Sequence, residues 1–159
     1  MSDHSGFVAS LRAERETFHA LCEILQSEQA CLVNSDVDGL LQLVPVKSEK
    51  VDALVALAQR RVDHLEAVGL SSGQDGMADW LAAQSSGQRA ELTQVWQDLV
   101  RFAADARSLN DINGKLITSR LSHNQEALAA LHLSARAQNI YGPDGQASVV
   151  PAHRQLGRA

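Results

Sequence analysis

Apolar residues recur every three to four positions along most of this chain, and the breaks in that rhythm divide it into helices. From Phe7 onward two rows keep heptad spacing: Phe7, Glu14, Leu21 and Glu28 form one, and Leu11, Phe18, Leu25 and Leu32 form the other. One row is wholly apolar and the other half so, which predicts a first helix over about 3–33 with a narrow seam. Asn34-Ser35-Asp36 interrupts it, and Asp36 has the side chain to cap a second helix. Leu40, Leu41, Val44, Val51, Leu54, Val55, Ala58, Val62 and Leu65 then carry a stripe toward Gly69, a residue suited to the left-handed conformation past a helix end. The spacing predicts a second helix over about 37–68, joined to the first as an antiparallel hairpin. Pro45 lacks an N–H and its ring collides with the preceding turn, so a kink or a late helix start is expected there.

Ser71-Ser72-Gly73-Gln74-Asp75-Gly76 reads as a loop, and Met77 to Ala83 as part of a short helix over about 76–84. Ser85-Ser86-Gly87 separates it from a third long helix, with Ser86 as a cap. Leu92, Val95, Trp96, Leu99, Phe102, Ala106, Leu109, Ile112, Asn113, Leu116, Ile117, Leu121, Leu128, Leu131 and Ala135 sustain a helical stripe over about 87–140. A helix of that length extends about 80 Å at 1.5 Å per residue. A compact domain of this size has a radius of gyration near ~15 Å, so such a helix cannot fold into a ball. The expected fold is all-α: an elongated antiparallel three-helix coiled-coil bundle over 1–141, with one very long C-terminal helix and a mobile tail over 142–159. A rod of this kind has few places for a small-molecule cavity of about 300 Å³ or more.

Composition narrows the function classes. The chain has 159 residues, 45% of them hydrophobic, enough for one domain with a real core. Its apolar runs are too short to span a bilayer. Met1-Ser2-Asp3-His4-Ser5-Gly6 has neither the basic nor the apolar region of a secretory signal, so a cytoplasmic location is expected. Cys22 and Cys31 fit as reduced thiols, because nine residues along one helix put them on opposite sides. A net charge of −5, with 14 Lys and Arg and no dense basic block, argues against nucleic acid as a partner.

Candidate chemistry is sparse. His19 and Cys22 stand at i and i+3, but no second pair completes a zinc site, and the other histidines are scattered. No di-iron Glu-x-x-His pairing is present, and Gly73-Gln74-Asp75-Gly76 lacks the Lys and Ser/Thr of a phosphate loop. Glu14 and Glu28 on the seam are expected to be rim carboxylates facing solvent or a basic residue of the second helix. No catalytic residue, metal or cofactor is expected.

Two features are more telling. Asn110, Asn113 and Asn124 interrupt a helix in which asparagine is a mediocre former, and their spacing is expected to point them into the bundle as a register device. Gly114 beside them would let a neighbouring helix approach closely. The long helix then closes on Tyr141-Gly142-Pro143-Asp144-Gly145-Gln146, where Gly142 can end it and Pro143 prevents its resumption. Tyr141, the single tyrosine, either packs back as a plug or is offered to a partner. The segment beyond is too poor in large apolar residues to order itself, which leaves Val149, Val150 and Leu156 as anchors for a partner.

Together these residues resemble the FlgN family of flagellar type III export chaperones. The likeness runs over most of the chain: the Leu/Glu-rich first helix, Asp36 with Leu40, Val44 and Lys47, Trp96 with Leu99, the Asn110-x-x-Asn113-Gly114-x-Leu116-Ile117 core, and the Tyr141-to-Gln146 ending. Pro45 departs from that family's usual uninterrupted second helix. The resemblance implies a cytoplasmic chaperone that holds the hook-filament junction proteins FlgK and FlgL and delivers them to the export gate component FlhA. On that footing Leu128, Leu131, Ile140, Val149, Val150 and Leu156 are expected to hold the substrate protein and Tyr141 to dock at the gate. A related chaperone or escort for another axial protein such as the filament cap is the alternative, followed by a metal-binding helical bundle. A homodimer through the exposed seam is left open.

Overall fold

The computed structural model describes residues 2–140, with side chains described from 4 to 133. Four helices make up its regular structure: α1 Ser2–Asn34, α2 Val37–Ala67, α3 Gln74–Ala82 and α4 Ser86–Ile140. Two compact units are distinguished, Met1–Ile117 and Thr118–Ala159. Tyr141 and residues 142–159, and with them Val149, Val150 and Leu156, lie outside the described residues, as does the side chain of Ile140.

In the first unit α1 and α2 form an antiparallel hairpin with a short, highly specified turn. Ser35 adopts φ 58°, the left-handed conformation, and lets Asp36 N–H reach Cys31 O at 2.9 Å while Ser35 N–H reaches Leu32 O at 3.5 Å. These two bonds are the Schellman pattern, which satisfies carbonyls that the end of α1 leaves open. Asp36 then caps α2, its Oδ1 accepting from Gly39 N–H at 2.9 Å. At the far end Gly69, with φ 77°, repeats the pattern: Leu70 N–H donates to Leu65 O at 2.8 Å and Gly69 N–H to Glu66 O at 3.0 Å.

All eight positions of the two α1 rows are buried or half-buried. At one end Phe7 and Leu11 join Leu65 of α2, Met77, Trp80 and Leu81 of α3, and Leu92, Val95 and Leu99 of α4 in one core cluster. The short α3 is therefore a plug, contributing three buried side chains from nine residues. Farther along, Leu21, Cys22 and Leu25 pack with Leu54 of α2 and Ala106 of α4 in a second cluster. The seam of α4 alternates steps of three and four through Leu92, Val95, Leu99, Phe102, Ala106, Leu109 and Asn113, all buried or half-buried. Arg12 pairs with Glu91, Cys22 donates to Phe102 O and Asn113 donates to Leu25 O, so α4 packs against α1 in the same direction.

Two features of α2 bear on its packing. It begins at Val37, where the spacing places it, and of the two alternatives at Pro45 the late start does not occur, because Pro45 lies within the helix. Pro45 is exposed, so solvent can meet the carbonyl its missing N–H leaves open. The apolar stripe of α2 is also wider than its partner: Leu54 and Leu65 are buried, whereas Leu41, Val44, Val51 and Val55 are exposed. One neighbouring helix covers only part of so broad a stripe.

Of the second unit, the described residues continue α4 as far as Ile140. Arg120 is half-buried and every other described side chain from 118 to 133 is exposed.

Candidate functional site

Two arrangements stand apart from ordinary core packing: a polar seam inside the first unit and an apolar stripe left open in the second. The seam begins at Glu14, whose carboxylate is buried and not at the rim as expected. It does face a basic residue of α2, since Arg61 donates through Nε to Oε2 at 3.1 Å and through Nη2 to Oε1 at 3.3 Å. The same guanidinium lies 5.3 Å from the Trp96 ring centre, so it bridges α1, α2 and α4 at one level.

Two heptads further along α1, Glu28 repeats the arrangement. Lys47 Nζ donates to its two carboxylate oxygens at 2.9 and 3.0 Å, and Asn113 Nδ2 donates to Oε2 at 2.8 Å and to Leu25 O at 2.9 Å. Asn113 is fully buried, and its Oδ1 is the one buried side-chain polar atom without a partner among the described residues. Of the three asparagines expected to point inward, the structure places only Asn113 inside; Asn110 and Asn124 are exposed. The reason is heptad phase: the seam passes through Leu109 and Asn113, and Asn110 falls one residue off it. Gly114 is exposed, with no heavy atom within 4 Å of where a Cβ would stand, so the close approach expected of it is not seen.

The His19–Cys22 pair resolves into packing. His19 meets Phe102 edge-on with ring centres 4.9 Å apart, and Cys22 Sγ donates to Phe102 O at 3.3 Å. Burial, with a smaller contribution from Asp105, pushes the Cys22 thiol above its ordinary range, which keeps it protonated. Among the described residues no three His, Cys, Asp or Glu side chains gather where a metal would be held. No described helix is long and apolar enough to cross a membrane.

The open stripe lies in the second unit. Leu128 and Leu131, both expected to hold a partner, are 56% and 65% exposed. Leu121, an apolar position of the same helical stripe, is 57% exposed and completes the row Leu121, Asn124, Leu128, Leu131 at steps of three, four and three. Its signal was available as heptad spacing, which does not distinguish a buried stripe from one kept for a partner.

The chain's relatives give this geometry a context. The family model described as FlgN protein matches residues 1–148. A flagella synthesis protein FlgN from Yersinia enterocolitica is 29% identical over 138 residues, covering 87% of this chain and 86% of the relative. One from Proteus mirabilis is 25% identical over 140 residues, covering 87% of each. No solved structure matches the chain. A match that runs from the first residue to beyond the end of α4 leaves one conclusion about descent: this chain belongs to the FlgN family.

Proposed function

We propose that this protein is a cytoplasmic, non-enzymatic flagellar export chaperone that holds the hook-filament junction proteins FlgK and FlgL and hands them to the export gate component FlhA. Family membership supports the flagellar setting. The observation that carries the binding role is the exposed row of Leu121, Leu128 and Leu131 on α4, with the exposed Leu133 beside it. Exposed leucines on one helical face cost solubility unless something covers them, and an amphipathic helix of a partner covers such a row by helix-on-helix packing. Secreted axial proteins need protection of just this kind, because their assembly helices aggregate or polymerise if left open. Ile140, Val149, Val150 and Leu156 extend the proposed substrate contact toward the C-terminus, and Tyr141 is the proposed gate contact. Asn113 is assigned to holding α4 in register on α1 and not to binding. The reading needs no cofactor: release at the gate follows from competition between two partners for one C-terminal region.

Co-purification tests the substrate half. Tagged protein should retain FlgK and FlgL, and both a truncation after Gln138 and the pair Leu128→Glu with Leu131→Glu should lose them while keeping the parent's helical circular dichroism. Capture of the filament-cap protein in preference to both would replace the proposed substrates. For the gate half, Tyr141→Ala should weaken affinity for FlhA by at least about tenfold, the scale of an aromatic anchor, and leave capture of the junction proteins intact. Unchanged calorimetric affinity would remove Tyr141 from that role.

A further inference from the structure

The first unit leaves a second surface open, separate from the leucine row assigned above. Along α2, Val37, Leu41, Val44, Ser48, Val51 and Val55 follow one another at steps of four, three, four, three and four. The five apolar members are each 42% to 67% exposed. This alternation is the seam of a coiled coil, and it is not the seam that α2 gives to its own bundle, where Leu54 and Leu65 enter the core. The five side chains together expose on the order of 500 Å² of contiguous apolar surface, near the upper limit for a chain that stays alone in water.

The charges beside the seam identify its occupant. One flank is acidic, with Asp38 after Val37, Asp52 after Val51 and Glu66 after Leu65. The other is basic, with Lys47 before Ser48 and Arg61 before Val62, and the exposed Arg107 of α4 stands beside Val51 on that side. Two parallel copies of α2 in register set opposite flanks together five residues apart, which brings Lys47 to Asp52 of the second copy and Arg61 to Glu66. Antiparallel copies would set acid against acid. The net charge of −5 on each copy is screened beyond about 8 Å at physiological salt, whereas the flanking pairs meet at contact. We infer that the open seam of α2 is the contact between two copies of this chain, joined as a two-fold dimer through parallel, in-register α2 helices. Counted over both copies the seam buries about 1,000 Å², the size at which specific interfaces begin.

Sedimentation velocity of the full chain across a concentration series should show a monomer–dimer equilibrium. Val44→Glu should raise its dissociation constant at least about tenfold, and helical circular dichroism should stay at the parent's level because Val44 is exposed in the single copy. Asp52→Lys separates the two orientations: in the parallel dimer it sets like charges against Lys47 and should weaken association about fivefold, whereas in an antiparallel dimer it would relieve acid against acid and tighten it. In a Cys31→Ser background, Leu41→Cys should give a disulfide-linked dimer on mild oxidation, since equivalent seam positions of parallel helices face each other within disulfide reach. Leu128→Glu should leave dimerisation unchanged, which separates this face from the proposed chaperone contact. A monomer up to about 100 μM, a dimer indifferent to Val44→Glu, or tighter association of Asp52→Lys would overturn the inference. So would a monomeric parent that loses captured junction proteins on Val44→Glu, since the face would then belong to the substrate.

Discussion

Arg61→Leu is expected to lower the stability of the chain by about 3 kcal/mol, the low end of the range for breaking a buried ion pair from one side. The cause is the carboxylate left behind. Glu14 has a side chain only 2% exposed and takes two hydrogen bonds from Arg61, whose own side chain is 17% exposed. Without the guanidinium, Glu14 must remain desolvated beside Leu11 and Phe18 or pull α1 open to reach water. The lower figure applies because Arg61 sits close enough to solvent for some water to follow its removal. The second variant discriminates: Glu14→Leu together with Arg61→Leu should recover most of the loss, since a matched apolar pair carries no charge to strand. Urea unfolding followed by circular dichroism measures both. A single variant as stable as the parent, or a double variant no better than the single, would show that the pair is not what holds this level of the hairpin.

A comparable loss, about 2 kcal/mol, is expected from Gly76→Ala, with steric overlap only partly offset by the gain in helix propensity. A Cβ at Gly76 would stand 1.7 Å from Ser71 O and 2.7 Å from Ser71 C, so backbone and not a flexible side chain must give way. The strain would fall on the joint between the loop and α3, and α3 carries Met77, Trp80 and Leu81 into the core. Near-ultraviolet circular dichroism should therefore lose signal from Trp80 along with the drop in unfolding midpoint. Gly73→Ala is the control: nothing lies within 4 Å of its Cβ position, and its loss should stay at or below about 1 kcal/mol, the capping cost at the N-cap of α3. Equal behaviour of the two variants would contradict the packing described for α3.

What the sequence made legible was local. The two rows of α1 could be written down from heptad spacing, and each of their eight positions is covered in the structure. The cap at Asp36 and the stop at Gly69 follow from the chemistry of those residues, and both make the bonds that chemistry calls for. Partner assignment was not legible. The stripe of α2 spans more than one helix face, and only the position of α1 determines that Leu54 is buried while Val55 is 67% exposed. Asn110 and Asn113 look equivalent as letters three apart, yet a seam that steps from Leu109 to Asn113 buries one and leaves the other in solvent. The meeting of Asn113 with Glu28 joins residues far apart in the chain, and no periodicity within either helix encodes it. For the candidate site, spacing marked Leu128 and Leu131 as apolar positions, but their exposure, which gives them a use, became visible only with the fold.

The two ion pairs of the hairpin also bear on how the chain comes to be folded. Glu14 faces Arg61 and Glu28 faces Lys47, so a slide of one heptad between α1 and α2 would set each carboxylate against an apolar residue such as Leu54 or Leu40. The correct alignment is thus written within the first 67 residues alone and can be checked before α4 has been synthesised. Glu28 then still has Oε2 within reach of the Asn113 amide when α4 arrives, so a settled hairpin acts as the template on which the last helix is threaded.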